Sequence, residues 1–269
     1  MILEKTIQIL NSRYAKHMEG LHIAQARIGI YLTALQLSDG STGVASTLRP
    51  GNTEIHCKKE NRDFGDFSPN KITGKKVTRL LEAPRKNALT DTLKVAALNA
   101  LSSKIIENST YPVLRNTDPL DLIDLNTPKT ITIVGAFQSY IRRIAKTNNR
   151  LFVLEFNPGA LEKNDHQFFV PATDFEKVLP VSDTVIITGL TLVNGTIDNL
   201  LQSVKPGTQV IVTGPSGSII PDVLFENHVQ IIGAVKTTDP ELLLKVVSEG
   251  GTGYHLFHYC AEKICIVHE

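Results

Sequence analysis

The chain has 269 residues, of which 42% are hydrophobic and 20% are charged, and it contains 18 glycines and 13 prolines. This composition excludes a disordered chain, a collagen and a coiled coil, while the length allows one large domain or two smaller ones. No run of about 18 apolar residues occurs, so we expect no membrane-spanning helix. The three cysteines form no CxxC pair and the first ten residues contain no apolar signal core, which together favour a cytoplasmic protein.

The net charge of +1 is unevenly distributed along the chain. Residues 1–120 carry 17 basic and 11 acidic side chains, whereas residues 121–269 carry 11 basic and 16 acidic ones. Segment 58–86 alone holds nine basic and four acidic residues, which is typical of a solvated loop or of a basic lip that attracts an anionic ligand. Because aromatic side chains hardly interleave with these charges, we expect no nucleic-acid partner.

Residues 1–110 are predicted to form an α+β domain. Its predicted elements are a helix over 2–15, an antiparallel hairpin of strands 28–37 and 43–48, and helices over 75–82 and 90–106. The last helix has an apolar side in which Asn99 needs a hydrogen-bond partner. Three prolines between 108 and 128 indicate the connection to a second domain over 111–269.

The second half alternates short apolar runs with amphipathic stretches. The six runs are 130–135, 151–156, 184–189, 208–214, 229–235 and 263–267. Continuous valine and isoleucine runs are typical of parallel strands that are covered on both faces. Strands that alternate with helices across short connections predict a doubly wound, mainly parallel α/β sheet.

Ligands of such sheets bind at the carboxyl ends of the strands, so the residues that follow each run are candidate site residues. The first run ends at Gly135, in a single-glycine turn with Phe137 that lacks the GxGxxG of dinucleotide-binding proteins. Glu155 ends the second run 20 residues later, the usual spacing for a carboxylate that accepts hydrogen bonds from ribose hydroxyls. A plain tight turn and a surface glutamate are the simpler interpretations.

Two later turns combine glycines with small polar side chains. The first contains Thr188, Gly189, Thr191, Asn194 and Thr196, and the second contains Gly214, Pro215 and Ser216. Helix capping explains one of these residues, whereas the whole set favours hydrogen bonding to an oxygen-rich small molecule. Glu155 and Asn194 are the candidate catalytic residues.

Side chains that bind metals occur in two short clusters. His255, His258 and Cys260 lie at positions i, i+3 and i+5, and His56 directly precedes Cys57. Imidazole and thiolate suit zinc, copper or nickel. One short cluster rarely encloses a metal ion, so ordinary packing or surface exposure is the simpler interpretation.

Several of these segments resemble the heavy-metal chelation family, long described as a domain of unknown function. The matching segments are 182–189 (SDTVIITG), 192–196 (LVNGT), 214–216 (GPS), 96–101 (AALNAL) and the hairpin at 29–45. The resemblance implies an N-terminal domain similar to the enolase N-terminal domain, a Rossmann-like C-terminal domain and a site in the cleft between them. It assigns to this site Asn99 and the turn residues Gly135, Phe137, Glu155, Thr188, Gly189, Thr191, Asn194, Thr196, Gly214, Pro215 and Ser216.

Several functions remain open at this stage. The first is a binding protein or enzyme of chelator metabolism that takes a small anionic or chelating metabolite. The second is a nucleotide- or S-adenosylmethionine-dependent enzyme, either a methyltransferase or a nicotinamide oxidoreductase. The others are a direct carrier of metal ions and a non-catalytic scaffold. The residues identify no cofactor, and a homodimer is one assembly to be tested.

Overall fold

The computed structural model describes residues 1–48, 65–84 and 87–268 of the chain. Within these ranges, no helix combines the length and the apolar character that a membrane crossing requires. The described residues form a small antiparallel sheet and a large, mostly parallel sheet, and helices pack against both. The predicted mixed α/β class is therefore confirmed.

The described part of the first half contains the small sheet and four helices. In chain order its elements are α1 (Ile2–Arg13), α2 (Ala15–Met18), β1 (Ile23–Ile28), β2 (Leu32–Leu37), β3 (Thr42–Ser46), α3 (Val77–Glu82) and α4 (Ala88–Glu107). The strands are antiparallel in the order β1-β2-β3, so the predicted hairpin forms between β2 and β3. The predicted strand over 28–37 began too early, because the chain turns at Gly29, whose N–H donates to the Leu32 carbonyl.

The second half contains the remaining strands and helices. In chain order these are β4 (Val113–Arg115), β5 (Thr130–Val134), α5 (Gln138–Ile144), β6 (Arg150–Glu155), β7 (Phe169–Pro171), α6 (Phe175–Val178), β8 (Thr184–Thr188), α7 (Leu190–Asn194), α8 (Ile197–Gln202), β9 (Gln209–Thr213), α9 (Asp222–Glu226), β10 (Val229–Thr237), α10 (Pro240–Ser248), α11 (Gly253–Tyr259) and β11 (Ala261–Val267). All eight strands belong to one sheet in the order β4-β11-β10-β9-β8-β5-β6-β7.

Strands β5 to β10 form the parallel part of this sheet. Numbered along the chain, their spatial order is 3-2-1-4-5-6, which is the doubly wound order whose direction reverses between β5 and β8. Ligand sites in such sheets lie at the carboxyl ends of the strands next to this reversal. The likeness of the first half to the enolase N-terminal domain and the domain division at residue 110 stay predictions.

Strand β11 runs antiparallel to β10, and β4 pairs with β11 at the sheet edge. The two helices α10 and α11 connect β10 to β11, and Thr237 at the end of β10 pairs with Ala261 at the start of β11. The chain therefore leaves and re-enters the sheet at the same end, which makes the last strand antiparallel.

One hydrophobic core joins the two halves. Leu98 and Leu101 of α4 belong to the same buried cluster as Val185 of β8 and Val212 of β9, and all four side chains are fully buried. Helix α4 is apolar on nearly all sides, as expected of a helix that is covered all round. The small sheet and the large sheet are thus two layers around one shared helix.

Strand β3 packs unusually close to α4 at Gly43. A Cβ atom placed on Gly43 would lie 2.2 Å from the backbone nitrogen of Ala100 and 2.2 Å from the carbonyl oxygen of Ala96. Both neighbours are backbone atoms of a buried helix, so they move only if the whole helix moves. The sequence therefore needs glycine here for close packing.

We predict that Gly43→Ala lowers the free energy of unfolding by about 3 kcal/mol or more, because the added methyl group overpacks the core. Gly253→Ala is the matched control, since a Cβ atom on Gly253 meets nothing within 4 Å. Urea denaturation measures both variants. A Gly43→Ala protein that is as stable as the Gly253→Ala protein would contradict the close packing of β3 on α4.

Candidate functional site

The carboxyl ends of β5, β6 and β8 surround a cavity of about 310 Å³, which we call the Glu155 cavity. It lies beside the point where the strand order reverses. Six of the predicted site residues line it, namely Gly135, Glu155, Thr188, Thr191, Asn194 and Thr196. The sheet topology therefore brings together turns that are up to 61 residues apart in the chain.

Glu155 lines this cavity, and two backbone hydrogen bonds orient its carboxylate. Its Oε1 accepts hydrogen bonds from the backbone N–H groups of Phe156 at 2.8 Å and Asn157 at 3.2 Å. Among the described residues, Oε2 has no hydrogen-bond partner. One oxygen thus anchors the side chain while the other remains available as an acceptor.

The floor of the Glu155 cavity is apolar. Val134, Leu154 and Leu200 line it and belong to the core shared by both halves of the chain, and Leu190 lines it and packs against that core. No lysine, arginine or histidine occurs among the described residues that line the cavity. The cavity therefore suits an uncharged apolar or aromatic ring whose hydroxyl groups face the carboxylate.

The polar side chains of turn 188–196 bond mainly to one another. The Thr191 hydroxyl donates to the Thr188 carbonyl at 2.7 Å, and Asn194 Oδ1 accepts from both the N–H and the hydroxyl of Thr196, at 3.1 and 2.8 Å. Local turn formation therefore explains more of these residues than the sequence pattern indicated. The Nδ2 group of Asn194 has no hydrogen-bond partner within the described ranges and remains a possible donor to a ligand.

The glycines at the strand ends are required by backbone conformation and packing. Gly135 has a φ of 101°, and a Cβ atom there would lie 3.1 Å from Cγ2 of Thr188. A Cβ atom on Gly189 would lie 2.5 Å from the backbone nitrogen of Gly217. These contacts account for both glycines without a ligand.

The remaining predicted residues do not reach the Glu155 cavity. Ser216 is fully buried and accepts a hydrogen bond from the Ser46 N–H at 2.8 Å. Asn99 is also buried, and its Nδ2 donates to the carbonyls of Val44 at 2.8 Å and Pro215 at 3.0 Å. Both side chains therefore bind the small sheet and α4 to the turn after β9, which is the structural role expected of a polar group in an apolar interface.

A second cavity of about 550 Å³ lies on the other side of the Gly135–Phe137 loop, and we call it the Lys263 cavity. Four of the predicted residues line it, namely Phe137, Gly214, Pro215 and the candidate metal ligand His258. None of the residues lining either cavity comes from the described part of 1–110. The predicted turns therefore form two hollows within the second half, and neither hollow faces the first half as expected.

A cleft between the two halves does exist, but the turns do not form it. It has a volume of about 420 Å³ and is lined by Thr42 and Lys104 from one half and by Arg115 and Lys236 from the other. None of the predicted site residues lines it. A cavity therefore lies where the site was expected, between the two halves, but the residues expected to form the site lie elsewhere.

The Lys263 cavity holds a polar cluster that the sequence did not reveal. Asp118 Oδ1 accepts from the Tyr140 hydroxyl at 2.5 Å, and its Oδ2 accepts from Lys263 Nζ at 2.5 Å. Burial alone would raise the pKa of Asp118, but the hydrogen bonds from Lys263 and Tyr140 outweigh it and hold that pKa below its ordinary value. Tyr140 and Lys263 are 22 and 145 positions from Asp118 in the chain, so no local motif could have identified the cluster.

Comparison with known proteins identifies the family. Two family models, both described as "Putative heavy-metal chelation", match residues 118–266 and 12–102. The first alone covers more than half of the chain. The protein belongs to this heavy-metal chelation family. The resemblance stated from the sequence segments is therefore confirmed.

Two solved structures of this family share the fold. A protein of unknown function from Pyrococcus horikoshii is 23% identical, with a TM-score of 0.77 over 99% of this chain and 98% of that one. A protein of unknown function from Desulfitobacterium hafniense is 18% identical, with a TM-score of 0.72 over 97% of this chain and all of that one. An uncharacterized protein of Methanocaldococcus jannaschii is 28% identical over 156 residues. That match spans 57% of each of the two chains.

The structure places the candidate metal ligands His255, His258 and Cys260 in different surroundings. His255 Nδ1 accepts a hydrogen bond from the Thr252 N–H at 3.1 Å and so caps the start of α11. Cys260 is buried, and this burial, together with the nearby Asp239 carboxylate, raises the pKa of its thiol to about 11. His258 is exposed and stacks on Tyr254.

These side chains do not assemble into a metal centre. Among the described residues, no group of three or more histidine, cysteine, aspartate or glutamate side chains is placed to hold a metal ion. His56 and Cys57 lie outside the described residues, as do 58–64 and 85–86 of the basic segment. The family match therefore indicates a metal-related role without a preformed ion site in the described part of the chain.

We predict that Cys260 and Cys265 resist alkylation in the folded protein. Burial raises the pKa of the Cys265 thiol to about 12, so at pH 8 both side chains are almost entirely in the unreactive thiol form. Iodoacetamide should modify them at least about 100-fold more slowly than in the urea-unfolded chain, where the pKa of a cysteine is about 8.5. Mass spectrometry of the cysteine peptides measures each rate. Equal rates in the folded and unfolded chains would contradict the burial of these thiols.

Proposed function

We propose that this protein binds a small organic molecule that carries neighbouring hydroxyl groups on a ring, and that it does so in the Glu155 cavity. The observation that carries the proposal is the oriented carboxylate of Glu155 above an apolar floor. Within the heavy-metal chelation family, we infer that such a ligand belongs to the synthesis or handling of an organic chelator. The protein would then act on metals through this molecule rather than by binding a bare ion.

The charge of the cavity supports an uncharged, hydroxylated ring. A carboxylate repels anions, and no cationic side chain lines the described part of the cavity to offset it. Hydroxyl groups can donate to Glu155 Oε2, while the ring covers Leu154 and Leu190. The anionic metabolite expected from the sequence fits this cavity less well than a neutral one.

A nucleoside is the ring system that this arrangement favours. Glu155 ends the second strand of the parallel series, where a carboxylate meets the ribose hydroxyls in doubly wound nucleotide-binding domains. The S-adenosylmethionine-dependent alternative therefore keeps its support. The nicotinamide alternative is weaker, because Phe137 occupies the position where a dinucleotide-binding turn has its second glycine for close approach of the pyrophosphate.

The direct metal carrier is the least supported of the open functions. Of its candidate ligands, His255 caps a helix, Cys260 is buried as a neutral thiol, and His258 is exposed and stacks on Tyr254. Metal ligation requires deprotonated thiolate and accessible imidazole. The described residues do not bring such groups together in one place.

We predict that wild-type protein binds adenosine and that Glu155→Gln weakens this binding about 10- to 100-fold, since a hydrogen bond to a charged group contributes roughly 1.5–3 kcal/mol. Titration calorimetry measures both proteins with adenosine and with 2′,3′-dideoxyadenosine, which lacks the two hydroxyls. The dideoxy compound should bind weakly to wild type and should be insensitive to Glu155→Gln. Removal of the two hydroxyls and the Glu155→Gln substitution should therefore have non-additive effects on the binding free energy, as expected of groups in direct contact.

Glu249→Gln serves as the matched control, because Glu249 is an exposed glutamate that follows α10, outside the residues that line the Glu155 cavity. It should bind adenosine as wild type does. The proposal fails if adenosine does not bind to wild type, or if adenosine and its dideoxy analogue bind equally well.

A further inference from the structure

The residues that line the Lys263 cavity take no part in the function proposed for the Glu155 cavity. Five segments build the Lys263 cavity: residues 118–119 between β4 and β5, the start of α5, the turn after β9, part of β10, and the region from α11 into β11. Its volume of about 550 Å³ is sufficient for a small organic molecule. It is separated from the Glu155 cavity by the Gly135–Phe137 loop.

Asp118 holds the polar groups of this cavity in place. Besides Tyr140 and Lys263, its Oδ1 accepts the N–H of Leu120 at 3.0 Å. Burial and the hydrogen bond to Asp118 raise the pKa of Tyr140, so its hydroxyl stays protonated and continues to donate. Both oxygens of Asp118 are therefore occupied, which leaves the carboxylate little capacity to bind a ligand itself.

Lys263 retains donors for a ligand. An ammonium group has three N–H donors, and the described residues accept only one of them, at Asp118 Oδ2. The Lys263 side chain is 43% exposed and lines the cavity. The hydroxyls of Ser139 and Thr213 line the same space. Because Asp118 is the only acidic side chain among the described lining residues, the polar side of the cavity consists mainly of donors.

Aromatic rings also line the Lys263 cavity. Phe137 stacks on Tyr140 with 5.4 Å between ring centroids and an interplanar angle of 23°. Lys263 Nζ lies 5.4 Å from the centroid of the Phe257 ring. Aromatic faces favour planar ligands, and a cation placed above such a face remains partly desolvated and available to an anion.

We infer that the Lys263 cavity is a binding site for a planar aromatic carboxylate, with the carboxylate on Lys263 Nζ and the ring between Phe137 and Phe257. Asp118 acts as a positioning residue that fixes Lys263 and Tyr140. The inference does not depend on the ligand of the Glu155 cavity, because the two cavities share none of their lining residues.

Ligand-observed NMR titration with benzoate, benzyl alcohol and acetate tests this inference. Benzoate supplies both the ring and the charge, benzyl alcohol lacks the charge, and acetate lacks the ring. Benzoate should bind wild type at least 10-fold more tightly than either analogue. In a protein labelled at phenylalanine, intermolecular nuclear Overhauser effects should connect the benzoate ring with Phe137 and Phe257.

Lys263→Met should weaken benzoate binding at least 10-fold while leaving adenosine binding unchanged. Lys236→Met is the matched control, because Lys236 lies on the adjacent strand β10 with a similar side-chain exposure of 37% and points to the opposite face of the sheet. It should bind benzoate as wild type does.

If Lys263→Met does not fold because Asp118 loses its partner, the double variant Asp118→Asn/Lys263→Met is measured instead. This double variant removes both charges and should also lose benzoate binding. The inference is overturned if wild type does not bind benzoate, if benzyl alcohol or acetate binds equally well, or if a folded Lys263 variant binds benzoate as tightly as wild type.

Discussion

The burial of α4 between the two sheets is the constraint on which the rest of the structure depends. Fourteen of its 20 residues are buried, and its polar Asn99 side chain donates to the carbonyls of Val44 in β3 and Pro215 in the turn after β9. This side chain, together with the hydrogen bond from the Ser46 N–H to Ser216, therefore fixes the small sheet relative to a strand end of the large sheet. Because Gly214 begins that turn, the helix also positions one wall of the Lys263 cavity.

A strand could be predicted from the sequence when only one structural arrangement explains its residue pattern. The valine and isoleucine runs of β5, β8 and β9 predicted buried parallel strands, because only strands covered on both faces are continuously apolar. Strand β1 was missed, since it is partly exposed and contains Gln25 and Arg27. The direction of β11 was not predictable from its own residues, because strand direction depends on the connection through α10 and α11.

The candidate site was predictable only in part. The strand order placed Gly135, Glu155 and Asn194 around one cavity, as expected for carboxyl ends near the reversal point. Phe137 lies two residues from Gly135 but lines the other cavity. Sequence spacing identifies the turn that carries a residue, whereas the face that the side chain occupies depends on backbone angles such as the φ of 101° at Gly135. Asp118, Tyr140 and Lys263 meet only through tertiary packing.

The two cavities differ in charge, and we propose different ligands for them on that basis. The Glu155 cavity offers an acceptor and, among the described residues, no cation, so it suits hydroxyl donors. The Lys263 cavity offers donors around a carboxylate that is already satisfied, so it suits an anion. One short loop forms a wall of both, with Ala136 facing the first cavity and Phe137 facing the second. A ligand that displaced this loop from one side would therefore change the shape of the cavity on the other, which makes the 135–137 loop the structural link between the two proposed sites.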